Sequence, residues 1–221
     1  MNRALMMRLI AKDWYLSRVP LMLIAPAGVV STGLLYSGKT AGLAGLISAL
    51  ISLVFLSILI PQLTVMNERK QGNLAFVMSL PISPAEYTMS KVLGNLSAFV
   101  LLWAAIAGAV LGTIAFIPGA GGVIPLGVVA ALAPFVSFCL LLSVAIVTES
   151  ELLSMVTMGI TNVAYSFWWF LFRLPGFGEN LKSPVPVWSG AILTIIGAQI
   201  SVILLALTLT FYLQSRKTDF V

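Results

Sequence analysis

Of 221 residues, 60% are apolar and only 9% charged, and the mean hydropathy is +1.07. A soluble domain carries roughly 25% charged residues, so this chain lacks the charge to coat a water-facing surface. Its twelve basic and seven acidic residues leave a net charge of +5 and flank charge-free runs at 19–38, 40–67, 92–148, 152–172 and 183–215. A spanning helix needs about 20 apolar residues, so the pattern predicts an all-α polytopic membrane protein. The alternation of a membrane barrel is missing. The chain has no His, which removes a Ser-His-Asp site, His-ligated zinc or haem and a His proton relay. Cys139 stands alone in an apolar run, so it reads as a small packing residue.

In chain order, residues 1–18 come first. Arg8 and Lys12 are four apart while Leu5, Leu9 and Ile10 return at near-helical spacing. This predicts an amphipathic helix lying in the interface, with Trp14 and Tyr15 at headgroup depth, or else a basic extension that sets orientation. Asp13 and Trp14 within it speak against a secretory signal. Six spans follow, at about 19–38, 44–66, 88–115, 124–147, 152–172 and 187–213, in one domain covering 1–221. Pro118-Gly119-Ala120-Gly121-Gly122 divides the longest apolar run. An even count puts both termini on one side. With that side inside, Arg3, Arg8, Lys12, Arg18, Arg69, Lys70, Lys91, Arg216 and Lys217 are internal, against Lys39, Arg173 and Lys182 outside. The positive-inside rule then places the termini in the cytoplasm. Basic residues that flank spans fit anionic lipid and not nucleic acid.

The segment 67–90, between spans two and three, carries the most information. Glu68, Arg69 and Lys70 end span two, and Gly72 can stop the helix. Leu74, Val77 and Met78 share one helical face and Phe76 and Leu80 an adjoining one, which predicts a short surface helix ended by Pro81. Ser83-Pro84-Ala85-Glu86 reads as a helix start. Ser83 caps, Pro84 suits the first helical position and Glu86 completes a capping box. Lys91, two turns on, can snorkel to headgroups. On spacing alone the segment is either a coupling element or simply a well-capped loop.

This segment resembles the signature of ABC transporter permeases of the type-two export family. The likeness lies in Glu68, Arg69, Gly72, Leu80, Pro81, Ile82, Ser83, Glu86 and Lys91, and in the opening Leu9-Ile10-Ala11-Lys12-Asp13. Asn73 and Ala75 stand where Thr and Glu are common in the family. The resemblance implies the transmembrane subunit of an ATP-driven exporter in a bacterial plasma membrane. That subunit pairs with a second permease, identical or homologous, and presents its first cytoplasmic loop to a separate ATPase. The ATPase-coupling candidates are Glu68, Arg69, Gly72, Phe76, Met78, Leu80, Pro81, Ser83 and Glu86. Glu149 and Glu151 form either a second contact or a tight acidic turn favoured by the helix dipole. The chain itself then has no catalytic site, metal or cofactor, and ATP and magnesium belong to the partner.

The bare sequence agrees on energy supply. An ion-coupled carrier needs ionisable groups at membrane depth, and the span cores are read as holding none. Nor is there a GxxxxGK[ST] nucleotide loop. Gln62, Asn95, Asn162 and Gln199 are candidates either for a substrate path or for interhelical hydrogen bonds. Gly108 and Gly112 permit close helix approach, within the subunit or at a dimer seam. Phe167, Trp168, Trp169 and Phe172 read as an aromatic belt or an outer gate. A membrane scaffold without a transport cycle is the alternative function. Topology is checked by single cysteines in a Cys139-free background. Those at Thr40 and Asn180 are expected to react with an impermeant thiol reagent in sealed cells, and one at Gln71 is not.

Overall fold

An apolar backbone without water closes its hydrogen bonds on itself as helix. In the computed structural model, which describes residues 3–70, 84–148, 150–166, 181 and 183–216, every regular element is helical. Helix α1, Arg3–Ser31, passes directly into a 3-10 turn at Thr32–Tyr36. It is bent by 57° between Leu5–Val19 and Leu21–Tyr36. Pro20 lies at the bend and has no N–H to give the helix ladder. The expected interfacial helix and first span are thus one bent helix. After Gly38, whose φ of 108° suits glycine, α2 runs Lys39–Pro61. It continues through a π-helical turn at Gln62–Met66 into the short α3, Asn67–Lys70.

Helix α4 is Pro84–Phe116, with Pro84 at its first position as the sequence predicts. Gly119, with φ of 79°, turns the chain into a 3-10 turn at Gly121–Val123 and α5, Ile124–Thr148. Helix α6 is Glu151–Ser166, and α7 is Gly190–Ser215, whose Ile192 amide is capped by Ser189. Among the described residues, four helical stretches are long and apolar enough to cross a membrane: Thr40–Met66, Ala85–Phe116, Gly121–Thr148 and Gly190–Ser215. The bent pair in α1 makes a fifth if counted as one span. The expected fifth span, 152–172, is described only as far as Ser166, which leaves α6 at 16 residues.

Helix α5 packs against α2, α4, α6 and α7. It is the central helix, since 61% of its most apolar window is buried inside the protein, against 11% for α7. The core joins Leu53, Leu56 and Ile60 of α2, Phe99 and Ile106 of α4, and Phe138, Leu142 and Ile146 of α5. Phe99 and Phe138 stack with ring centroids 4.1 Å apart and planes 4° from parallel. Trp103 tilts against Phe135 at 5.3 Å and donates its Nε1 proton to the Ala131 carbonyl at 2.7 Å. That bond answers the indole's need for a partner when buried. Cys139 is buried and unpaired in this core.

Within a bilayer the hydrophobic effect does not hold helices together, and close backbone approach and packing take its place. Small residues mark where it happens. A Cβ on Gly45 would lie 2.5 Å from the Ser31 carbonyl oxygen, and one on Gly28 would lie 2.8 Å from Ile106 Cδ1. Gly108 and Gly112 differ, because a Cβ there meets no atom of the described residues within 4 Å. Their expected packing role inside the subunit is therefore not realised. Gly45→Val is expected to push α2 from the end of α1 and to lower the thermal midpoint of the purified protein. Gly108→Ala is expected to leave it unchanged.

Candidate functional site

The charged ends of α1, α2 and α4 meet. Lys91, two turns into α4, is fully buried, and its ammonium group has three protons to place. Nζ donates to Asp13 Oδ1 at 2.9 Å and to the Thr64 carbonyl at 3.0 Å, and lies 2.5 Å from Glu68 Oε2 as an ion pair. The Tyr87 ring sits 5.8 Å away. Lys12 pairs with the other oxygen of Glu68. Two cations and two anions thus balance in a site where Asp13, Glu68 and Lys91 are all nearly devoid of solvent.

Local structure explains how the groups reach one another. In the π turn the Asn67 amide bonds the Gln62 carbonyl five residues back, one residue more than an α-helix spans. The turn follows Pro61 and brings the Thr64 carbonyl to Lys91. The one Thr64 hydroxyl proton lies within reach of Ile60 O, at 2.8 Å, and of Asn95 Oδ1. Asn95 in turn donates to the Lys91 carbonyl at 2.8 Å. Gly94 lets α1 close on α4, since a Cβ there would lie 3.3 Å from Asp13 Oδ2. That oxygen has no hydrogen-bond partner among the described residues.

Burial on its own raises the Glu68 carboxyl, but the Lys91 and Lys12 ammonium groups outweigh it and hold its pKa below the ordinary 4.5. A depressed folded-state value means that its stabilisation is complete above about 4.5. It is lost as pH falls through the lower value.

The expected snorkelling of Lys91 is corrected by this geometry. Its amine points into the bundle because Asp13, Glu68 and Thr64 together replace its water. Lys91 nonetheless stands near the start of the apolar stretch Ala85–Phe116, at the charged end of the bundle where the sequence places it. Trp14 likewise turns inward, donating to Ser97 Oγ of α4 at 3.1 Å, while Tyr15 stays exposed beneath the Arg18 guanidinium, 3.9 Å from its ring centroid.

Of the other coupling candidates, Glu86 stands in the first turn of α4. Arg69 lies in α3, with its side chain outside what is described. Gly72, Phe76, Met78, Leu80, Pro81, Ser83 and Glu149 fall outside the described residues. Glu151 pairs with Lys70 at 2.5 Å, both side chains about half exposed, a contact worth about 0–1 kcal/mol. Ser150 caps α6 through the Leu153 amide.

The substrate-path candidates separate. Asn95 is fully buried beside the ion cluster, where it holds the Lys91 carbonyl. Gln199 donates to the Val129 carbonyl at 3.1 Å, joining α7 to α5. Gln62 is half-buried in the π turn. Asn162 lines a cavity. Asp13 is the residue the sequence reading passed over. Its signal was a lone carboxylate on an apolar-faced helix, which calls for a buried cation.

No protein-family model matches the chain, and no curated protein or solved structure does either.

Lys91→Met is expected to leave Asp13 without its paired ammonium, and removal of one partner from a buried pair costs about 3–5 kcal/mol. Asp13→Asn combined with Lys91→Met keeps the Lys12–Glu68 pair and restores the charge balance. The double variant is therefore expected to unfold at a higher temperature than Lys91→Met alone, as measured by thermal scanning at pH 7.

Proposed function

We propose that the chain is the transmembrane subunit of an ATP-driven exporter. It would form six spans in a plasma membrane with both termini cytoplasmic, pair with a second permease, and be driven by a separate ATPase. Two lines support the reading. One is the resemblance of 68–91 to the coupling loop of type-two export permeases. The other, which carries it, is the ion pair between Glu68 and Lys91, the residues that flank segment 71–83. That pair clasps the base of the segment.

A clasped base is what a coupling loop needs. Displacement of 71–83 by an ATPase is passed to α2 through Glu68 and to α4 through Lys91. Helix α1 follows, because Lys12 holds Glu68 and Asp13 holds Lys91. Three helices then move as one lever at the charged end. The ion cluster is charge-balanced and enclosed, so it suits transmission of force better than passage of ions.

The reading is tested by purifying the chain from its native membrane in mild detergent. A nucleotide-binding subunit is expected to accompany it, with ATP hydrolysis. Truncating a central interface anchor costs 2 kcal/mol or more of binding, about thirtyfold at 1.4 kcal/mol per decade. Phe76→Ala with Met78→Ala is therefore expected to reduce association by about that factor while leaving membrane insertion intact. Unchanged complex yield would remove the coupling role. Uphill transport by the chain alone in liposomes on a proton gradient would remove the exporter reading.

A further inference from the structure

The half of the bundle away from the ion cluster contains a cavity of about 740 Å³ between α2, α4, α5 and α6. This lies inside the 300–1,000 Å³ range of small-molecule sites. Its walls include Val54, Val110, Ala130 and Pro134, and Asn162 and Tyr165 are two of its few polar residues, three apart on α6. Tyr165 turns its hydroxyl away to Ser137 Oγ of α5 at 2.7 Å, so it offers the cavity a ring. Asn162 gives one N–H to the Met158 carbonyl of its own helix at 2.8 Å, which leaves an amide at one edge of an otherwise apolar space.

The size and chemistry of the space restrict what fills it. The cavity is open on one side, where Ile47 and Phe55 of its wall are about half exposed, so its lining lacks protein contacts there. Water does not supply them, because each buried molecule needs two to four polar partners and the aliphatic walls offer none. Three of the helices that line the cavity are themselves the apolar stretches Thr40–Met66, Ala85–Phe116 and Gly121–Thr148. A chain reaching the cavity therefore travels through hydrocarbon without meeting water.

We propose that this cavity is a binding site for a single aliphatic chain of an amphiphile, with the polar end of the ligand towards Asn162. The inference goes beyond the exporter reading and holds with or without an ATPase partner.

The test uses the full-length purified protein and two photoreactive probes, a diazirine-bearing fatty acid and a diazirine-bearing phosphatidylcholine, with adducts located by mass spectrometry. Expected is saturable labelling of cavity residues, competed by an excess of the unlabelled ligand. The probe that is competed identifies a free amphiphile or a membrane phospholipid as the source of the chain. Ala130→Phe and Val110→Phe each fill the space and are expected to lower cavity labelling at least tenfold. Leu205→Phe, on the exposed face of α7, is expected to leave it unchanged. Labelling of the wild-type protein that is not competed and falls equally on α7 would overturn the proposal, as would unchanged labelling in a filled variant that remains monodisperse. Cross-links between two copies through α2 and α6, with the cavity inaccessible to both probes, would assign the space to a protein interface and overturn it as well.

Discussion

A lysine amine that has given up all its water must find acceptors for three protons and negative charge for one positive. In this chain that requirement falls on Lys91, and no single helix can meet it. Asp13 comes from α1, Glu68 and the Thr64 carbonyl from the end of α2, and Asn95 holds the Lys91 backbone from the following turn. The demand of one cation therefore sets the mutual position of three helices. Weaker contacts, such as the half-exposed Lys70–Glu151 pair, add detail to an arrangement already determined.

The two ends of the bundle are built on different physics. At the charged end the helices are joined by directional contacts, which tolerate little displacement before a buried charge loses its partner. At the opposite end the joints are close approaches of small residues, as at Gly45 against Ser31, and a backbone bond from Gly122 to the Ser183 carbonyl at 2.9 Å. Between them Phe99 and Phe138 stack face to face. Under the proposals above, the stiff end beside segment 71–83 would receive force and the apolar space at the other end would hold a ligand.

The helical class and most boundaries were legible in the sequence because long apolar runs leave helix as the only hydrogen-bonded solution. The start of α4 at Pro84 and the division near Gly119 follow from the fixed φ of proline and the freedom of glycine. The joining of 3–18 to the first span was not legible, since a proline can end a helix or merely bend one, and Pro20 bends it. The ion cluster was hidden for a different reason. Asp13 and Lys91 are 78 residues apart, and each taken alone resembles a residue at a membrane boundary. Only the fold brings their charges together. Asn95 and Asn162 looked alike as polar residues within spans, yet one is locked under a lysine and the other edges a cavity, a difference set by which neighbours each helix face meets.

The π turn at Gln62–Met66 has a consequence for the phase of everything after it. Successive residues of an α-helix are offset by roughly 100°, and the π turn accommodates one residue beyond the α-helical spacing. The same chain run as an uninterrupted α-helix through to Lys70 would carry every later residue round by that extra step. Its glutamate would then face about 100° away from Lys91, towards lipid or another helix. The same residues in the same order would lose their ionic latch through rotation alone. The irregular turn is therefore the setting that aims the carboxylate.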